Sequence, residues 1–568
     1  MLANIAYEMW INSPNFDNEF KKELKLIENN VEEIYDRFYK DLEFGTGGMR
    51  GLIGAGRNRI NKYTIRRASQ AFSLYLKKQY KGFKKVTVIV GFDTRQNSWM
   101  LAYETAGVLA ANGIEVMLFG ENRTTPEISH AVRYLGAQAG IMITASHNPS
   151  NYNGYKVYNS KGVQLLPNDV KNIVSIMKSI KSYVEIKYME PQAGRLLGRI
   201  KDVPVNVETD YLNALIERSR KHPRNKKLHI VYTPLHGTGL RPIVKLFNHL
   251  GYESYQVVKE ESQTVIKKSD QYVSNPEDDR AFELALDKAV ESNADIVLAT
   301  DPDADRVGVY VKDEENKFIR LSGNALGSLM LDYLIKREHV SNKDALITTH
   351  VSSNLGIKIA QAHGMKVYQT LTGFKYIGDL AEGFSNNLKT HFFFGYEESC
   401  GYLFGDTTRD KDGVFSTVLI CEMAAYYKEQ GLSLIEVLKK LYETYGYTKD
   451  ELISFKFKGA KGLQNRDELM DEIRKNENID VENFKFTQYM DADKGFIKDL
   501  LTGEKNVWDI EKSNLVKFIM KDGSWIAVRP SGTEPKLKWY VSINGETIED
   551  VERRLNKIKD VINKVMGH

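Results

Sequence analysis

Apolar and polar positions along the chain fall into a recurring order. Three times a short apolar run is followed by a second run, a stretch with helical spacing, and a third run that ends in a polar loop. The first set covers 86–90, 115–119 and 141–144, the second 228–232, 255–258 and 296–300, and the third 345–349, 365–368 and 392–394. Short β-rich runs separated by helical patterns predict doubly wound α/β units. Before them, residues 15–42 alternate charged and apolar positions at helical spacing and lead into a glycine-rich segment, 44–51. Residues 451–568 break the pattern, with antiparallel strands expected at 515–520 and 525–528 and a closing helix over 548–565. Thr547 and Asp550 fit a capping box for that helix, and Ile548, Val551, Leu555, Ile558 and Ile562 form its apolar face. The expected division is an α/β domain in each of 1–205, 206–320 and 321–450, then a smaller α+β domain in 451–568.

In open α/β sheets ligands bind beyond the carboxyl ends of the strands. The third run of each set delivers a polar loop there: Thr144-Ala145-Ser146-His147-Asn148-Pro149, then Asp301-Pro302-Asp303-Ala304-Asp305-Arg306, then Gly395-Tyr396-Glu397-Glu398-Ser399. If the three units share one fold, these loops occupy equivalent corners around a common cleft. Pro149 cannot donate to a sheet ladder and marks the end of pairing.

Length and composition narrow the setting. A chain of 568 residues suggests three to five domains. Its 42% hydrophobic and 27% charged content is ordinary for a globular protein, and a net charge of +4 points to neither nucleic acid nor membrane as a partner. Two cysteines, Cys400 and Cys421, exclude a disulfide framework and suit a reducing cytoplasm. The first ten residues lack the basic start and apolar core of a secretory signal, and no run approaches ~18 uncharged apolar residues.

Asp301, Asp303 and Asp305 alternate after a buried strand and repel one another unless a cation neutralises them. Oxygen-only ligands favour magnesium, manganese or calcium over zinc. A calcium EF-hand fails because Arg306 and Lys312 stand where its glycine and glutamate belong. A phosphatase with an aspartate nucleophile also opens on a strand and Asp-x-Asp, but leaves Ser146 without a role. Arg529-Pro530-Ser531-Gly532-Thr533-Glu534 gathers a guanidinium, two hydroxyls and backbone amides in one turn, which suits a phosphate dianion. Glu397 and Ser399 can bond neighbouring sugar hydroxyls. His147 and His236 read as hydrogen-bonding groups, since no second histidine lies at metal-ligand spacing. No Walker-type loop or dinucleotide fingerprint occurs.

Taken together, TASHNP, DPDADR, GYEES and RPSGTEP resemble the α-D-phosphohexomutase family, in that family's order and over essentially the whole chain. The resemblance implies four domains around a central cleft and a magnesium-dependent transfer of phosphate between the 1- and 6-positions of a hexose. It implies that Ser146 carries the phosphoryl group and completes a metal site with Asp301, Asp303 and Asp305. Lys156 matches a lysine that assists proton transfer near the serine, and Arg50 and His147 match residues lining the phosphoryl group. Gly373 and Lys375 belong to a loop that touches the sugar or its phosphate, with Arg306 facing the same cleft. Lys411 matches an acid or base of the glucose-type enzymes, and Arg529, Ser531, Gly532 and Thr533 the second phosphate site. The histidine that follows the Glu-x-Ser loop in enzymes acting on both mannose and glucose is missing, which leans the specificity toward glucose. Expected partners are sugar phosphates, with glucose 1,6-bisphosphate as intermediate and activator, for a monomer or homodimer. Mannose and pentose phosphates stay open as substrates, as does a non-catalytic phosphosugar sensor.

Overall fold

The computed structural model describes residues 2–45, 47–220, 227–263, 273–385, 387–457, 459–477, 484–531 and 536–566. Among them the strands form four sheets, each centred on runs that the hydrophobic pattern marks. In the first sheet Thr87–Phe92 pairs in parallel with Glu115–Leu118 and Ala139–Ile143. In the second, Ile230–Thr233 pairs in parallel with Tyr255–Val257 and Ile296–Thr300. In the third, Asp344–Thr349 does so with Lys366–Thr370 and His391–Glu397.

Each third strand then turns back. Tyr152–Asn159, Val307–Lys312 and Gly401–Phe404 pair antiparallel to the strand before them, so the polar loops are the connections of hairpins, except that Gly395, Tyr396 and Glu397 of the third still belong to its strand. These return strands escape the sequence pattern. Tyr152–Asn159 carries Asn153, Gly154 and Lys156 among its aromatics yet is buried, because Gly48–Leu52 closes its other edge. Each hairpin loop also holds a non-glycine residue in the left-handed region, Ser146 at φ 51°, Ala304 at 51° and Cys400 at 62°. That conformation costs a side-chain-bearing residue about 1–2 kcal/mol. The internal repeat is therefore visible in backbone conformation as well as in topology.

Residues 18–25 and 31–38 form two helices that pack Leu24, Ile34 and Phe38 with Tyr7 and Trp10 of the helix Leu2–Asn12. The fourth sheet is antiparallel throughout and begins at Tyr447, so a division at 450 falls inside its first strand. Its helix Ile548–Val565 lays Val551, Leu555, Ile558 and Ile562 against Trp539, Val541 and Ile543. Thr547 accepts from the Asp550 amide, one of the two capping-box bonds, whereas the Asp550 carboxylate takes Arg553.

The first three units interlock through their backbones. Thr125 N–H donates to the Asp303 carbonyl, Val307 N–H to that of Cys400, and Gly413 N–H to that of Ala304. A Cβ on Gly413 would stand 2.7 Å from the Ala304 oxygen, so only glycine permits that approach. The fourth unit joins the third through an apolar layer of Val351, Leu371, Leu515, Trp525, Ala527 and Tyr540. No helix of the described residues is long and apolar enough to cross a membrane.

Candidate active site

Ser146 stands where the all-buried strand Ala139–Ile143 gives way to its hairpin loop. The Thr144 hydroxyl accepts its amide at 2.8 Å, which helps to hold the left-handed turn. A Cβ on Gly154 would meet both the Thr144 and Met49 carbonyls inside 2.7 Å, so glycine lets three segments of backbone converge behind the serine. The hydroxyl of Ser146 donates to Asp301 Oδ2 at 2.7 Å and lies 3.1 Å from His147 Nδ1. Burial, with Arg306 and Arg50 nearby, pushes the His147 pKa well below that of a free imidazole, so the ring is neutral. Arg50 donates to the Asn148 side chain at 2.7 Å, and burial together with Arg306 lowers its guanidinium to about 10.

The three aspartates are buried, and one oxygen of each lies within 4.8 Å of the others. The amides of Asp305 and Arg306 donate to Asp301 Oδ1, both at 3.1 Å, which aims its other oxygen at the serine. Burial, then Asp305 and Asp303, raise the Asp301 pKa well above the usual carboxylate range. Burial pushes Asp305 the same way, but Lys156, Lys411 and Arg306 outweigh it and lower its pKa. Asp303 Oδ1 and Asp305 Oδ1 are buried without a hydrogen-bond partner. An all-oxygen set with two unsatisfied carboxylate oxygens and mutual repulsion fits a hard divalent cation.

Two lysines crown the cluster. Lys156 Nζ lies 2.6 Å from Asp303 Oδ2 and 2.9 Å from Asp305 Oδ2, and Lys411 Nζ lies 3.2 Å from the latter. Burial lowers both ammoniums, yet Asp303 and Asp305 raise Lys156, while Asp305, Asp410 and Glu397 raise Lys411. Lys411 also contacts Asp410 Oδ1 at 3.3 Å, and Asp410 Oδ2 accepts from the Tyr158 hydroxyl at 2.9 Å.

Glu397 ends the strand His391–Glu397 and accepts from the Gly373 amide at 2.7 Å, which joins the two loops expected to face the sugar. Ser399 is half-buried in the following turn. Lys375 is buried, its pKa lowered to about 8 by that burial against the pull of Glu511. Arg306 pairs with Glu277 at 3.2 Å. Arg529 stands opposite Lys538 across the antiparallel pair of Trp525–Pro530 and Lys536–Gly545. Ser531 donates its amide to the Lys536 carbonyl at 2.9 Å, and Gly532 and Thr533 lie outside the described residues.

Four residues belong to this site that the sequence pattern does not single out. Thr125 donates its hydroxyl to Asp303 Oδ2 at 2.7 Å, Ser274 reaches the carbonyls of His147 and Asn148, and Arg95 grips the serine loop from behind. Lys538 is near enough to His147 to add to the lowering of its pKa and to Glu398 to oppose the rise that burial and Glu397 cause there, which brings the fourth domain to the serine loop. Arg95 alone had a sequence signal, since it follows the first parallel strand of its unit at a carboxyl edge.

Comparison with known proteins matches each of the four units. Residues 41–184, 209–315, 322–445 and 470–560 match, in turn, domains I, II, III and the C-terminal domain of the family described as Phosphoglucomutase/phosphomannomutase. The phosphoglucomutase of Staphylococcus saprophyticus is 33% identical over 527 residues, 92% of this chain and 94% of that protein. That of Staphylococcus aureus MRSA252 is 33% identical over 98% of both. Among solved structures, the open form of pp63/parafusin from Paramecium superposes with a TM-score of 0.67 at 18% identity, covering 93% of this chain and 96% of that one. A phosphoglucomutase/phosphomannomutase family protein from Burkholderia thailandensis gives 0.65 at 18%, covering 92% and 97%.

Proposed function

The chain belongs to the phosphoglucomutase/phosphomannomutase family of phosphate-transferring isomerases, and on that premise we propose that it interconverts glucose 1-phosphate and glucose 6-phosphate through phosphorylated Ser146. The observation that carries this reading is the 2.7 Å contact of the Ser146 hydroxyl with Asp301, beside Asp303 and Asp305. In the first half-reaction the P–Oγ bond of phosphoserine breaks as a bond forms between phosphorus and O6 of glucose 1-phosphate. The O6 proton leaves the sugar and one proton returns to the serine oxygen. The glucose 1,6-bisphosphate then turns round, its P–O1 bond breaks, P–Oγ re-forms, and the serine proton ends on O1.

The residues divide this work. Lys156, held as an ammonium by Asp303 and Asp305, suits proton delivery to the departing serine oxygen, and Lys411 handles the proton on the sugar side. Arg50 and neutral His147 line the transferring group. Glu397, Ser399, Gly373 and Lys375 hold the sugar in either orientation, with Arg306 on the cleft wall. Arg529, Ser531, Gly532 and Thr533 take the phosphate that is not reacting. The family is magnesium-dependent; Asp301, Asp303, Asp305 and the Ser146 phosphate would hold the ion, which supplies charge neutralisation as phosphoryl leaves. We place the reaction in the cytoplasm, where the buried thiols of Cys400 and Cys421 stay reduced.

A coupled assay with magnesium and glucose 1,6-bisphosphate tests the reading. Glucose 1-phosphate is expected to give the highest kcat/KM in a panel with mannose 1-phosphate and ribose 1-phosphate. A higher value for either competitor moves the substrate assignment within the family, and full turnover by Ser146→Ala ends the phosphoserine mechanism.

A further inference from the structure

Arg95 follows the strand Thr87–Phe92 and is buried behind the serine loop. Its guanidinium donates to the carbonyl of Ser146, to those of Asn148 at 2.5 Å and Pro149 at 2.8 Å, and to Tyr152 at 3.2 Å. One planar fork therefore spans the whole hairpin turn, and only a guanidinium offers enough donors in one plane to do so. Asp93 fixes the fork in turn: its Oδ1 accepts from the Arg95 amide at 2.9 Å and from the Ser98 hydroxyl at 2.6 Å, and its Oδ2 lies 3.4 Å from Arg95 Nε. The grip acts on a residue whose backbone is strained, since Ser146 sits at φ 51°. Arg95 touches no reacting atom. Resting on the function proposed above, we propose that Arg95 is a positioning residue that holds Ser146 Oγ in line for phosphoryl transfer in both half-reactions.

Two variants of the full chain, Arg95→Lys and Arg95→Ala, test this. Lysine keeps the charge but cannot reach all four carbonyls with three donors. Both folded variants are expected to lose about 100-fold in kcat, the scale of a small misplacement of a reacting group. KM should stay within about threefold of the parent value, because substrate contacts are untouched. Guanidinium ion in the assay is expected to restore about tenfold to Arg95→Ala, a response that a general loss of folding would not give. Uptake of phosphoryl from glucose 1,6-bisphosphate, read as a mass gain of about 80 Da, separates this claim from the mutase reading. A parent chain that takes up phosphoryl without turning over glucose 1-phosphate fails the function while leaving Arg95 to be judged on its uptake rate. Near-parental kcat or uptake in either folded variant overturns the proposal. So does loss that tracks the unfolded fraction without guanidinium rescue, or failure of both variants to fold.

Discussion

The Ser146 hydroxyl donates to Asp301 Oδ2 at 2.7 Å although 155 positions of chain separate the two residues. The contact joins the hairpin loops of two similar units, and each loop holds a left-handed residue. Replacing the serine by alanine removes the contacts of its hydroxyl with Asp301 and His147 and leaves packing intact, so stability should change by only about 1–2 kcal/mol. Turnover of glucose 1-phosphate by Ser146→Ala should fall on the order of 10⁴-fold or more, as when a nucleophile is deleted. Intact mass after incubation with glucose 1,6-bisphosphate should show no gain of a phosphoryl group in the variant. Thermal unfolding and the coupled assay check the two halves of this expectation.

Magnesium should stabilise the folded chain measurably. Asp303 Oδ1 and Asp305 Oδ1 are buried without hydrogen-bond partners, and burial beside its two neighbours already raises the Asp301 pKa, so a bound cation relieves several penalties together. At a hundredfold excess over Kd the linkage amounts to about 2.7 kcal/mol. Unfolding of the parent should shift upward with magnesium and return with a chelator, whereas Asp303→Asn should lose most of the shift. An equal shift in that variant would place the ion elsewhere.

The sequence carried the parallel strands and the three loops because a buried strand that ends in a polar loop leaves a local trace. The strand Ile296–Thr300 and the helix Ile548–Val565 lie where the pattern puts them. The return strands left no such trace, since Tyr152–Asn159 mixes Asn, Gly and Lys with tyrosines and owes its burial to Gly48–Leu52, far earlier in the chain. Lys156 was legible as a residue near the serine, but its engagement by Asp303 and Asp305 depends on how two units dock. Thr125, Ser274 and Lys538 are ordinary polar residues in sequence, and only the packing of separate domains brings them to the site.

Lys517 should make the contact between the third and fourth units sensitive to pH. It is buried, donates to the His350 carbonyl at 2.8 Å and lies 4.2 Å from the centre of the Trp525 ring, and burial lowers its pKa to about 7. A lysine depressed in the folded state binds fewer protons there than in the unfolded chain between pH ~7 and ~10.4, so stability rises with pH across that window. The slope reaches about 1.4 kcal/mol per pH unit. Lys517→Met should flatten this component, and the difference between parent and variant in denaturant unfolding at several pH values isolates it. Parallel curves would show that the ammonium is not desolvated.

Lys156 and magnesium should compete to neutralise the same carboxylates. The ammonium stands 2.6 Å from Asp303 Oδ2 and 2.9 Å from Asp305 Oδ2, so Lys156→Met leaves both with one cation fewer in a buried setting. Breaking a buried pair from one side costs about 3–5 kcal/mol, and the metal-free variant should be destabilised on that scale. A divalent ion then replaces charge that the parent already supplies, so the upward shift on adding magnesium should be larger in Lys156→Met than in the parent. Activity should nevertheless stay low at saturating magnesium, because the ion restores neutralisation but not the proton donor proposed for the serine oxygen. Unfolding curves with and without magnesium, set beside kcat for the same samples, separate the two roles of this lysine. Full recovery of kcat with the metal would leave Lys156 a counter-ion and assign proton delivery to another group.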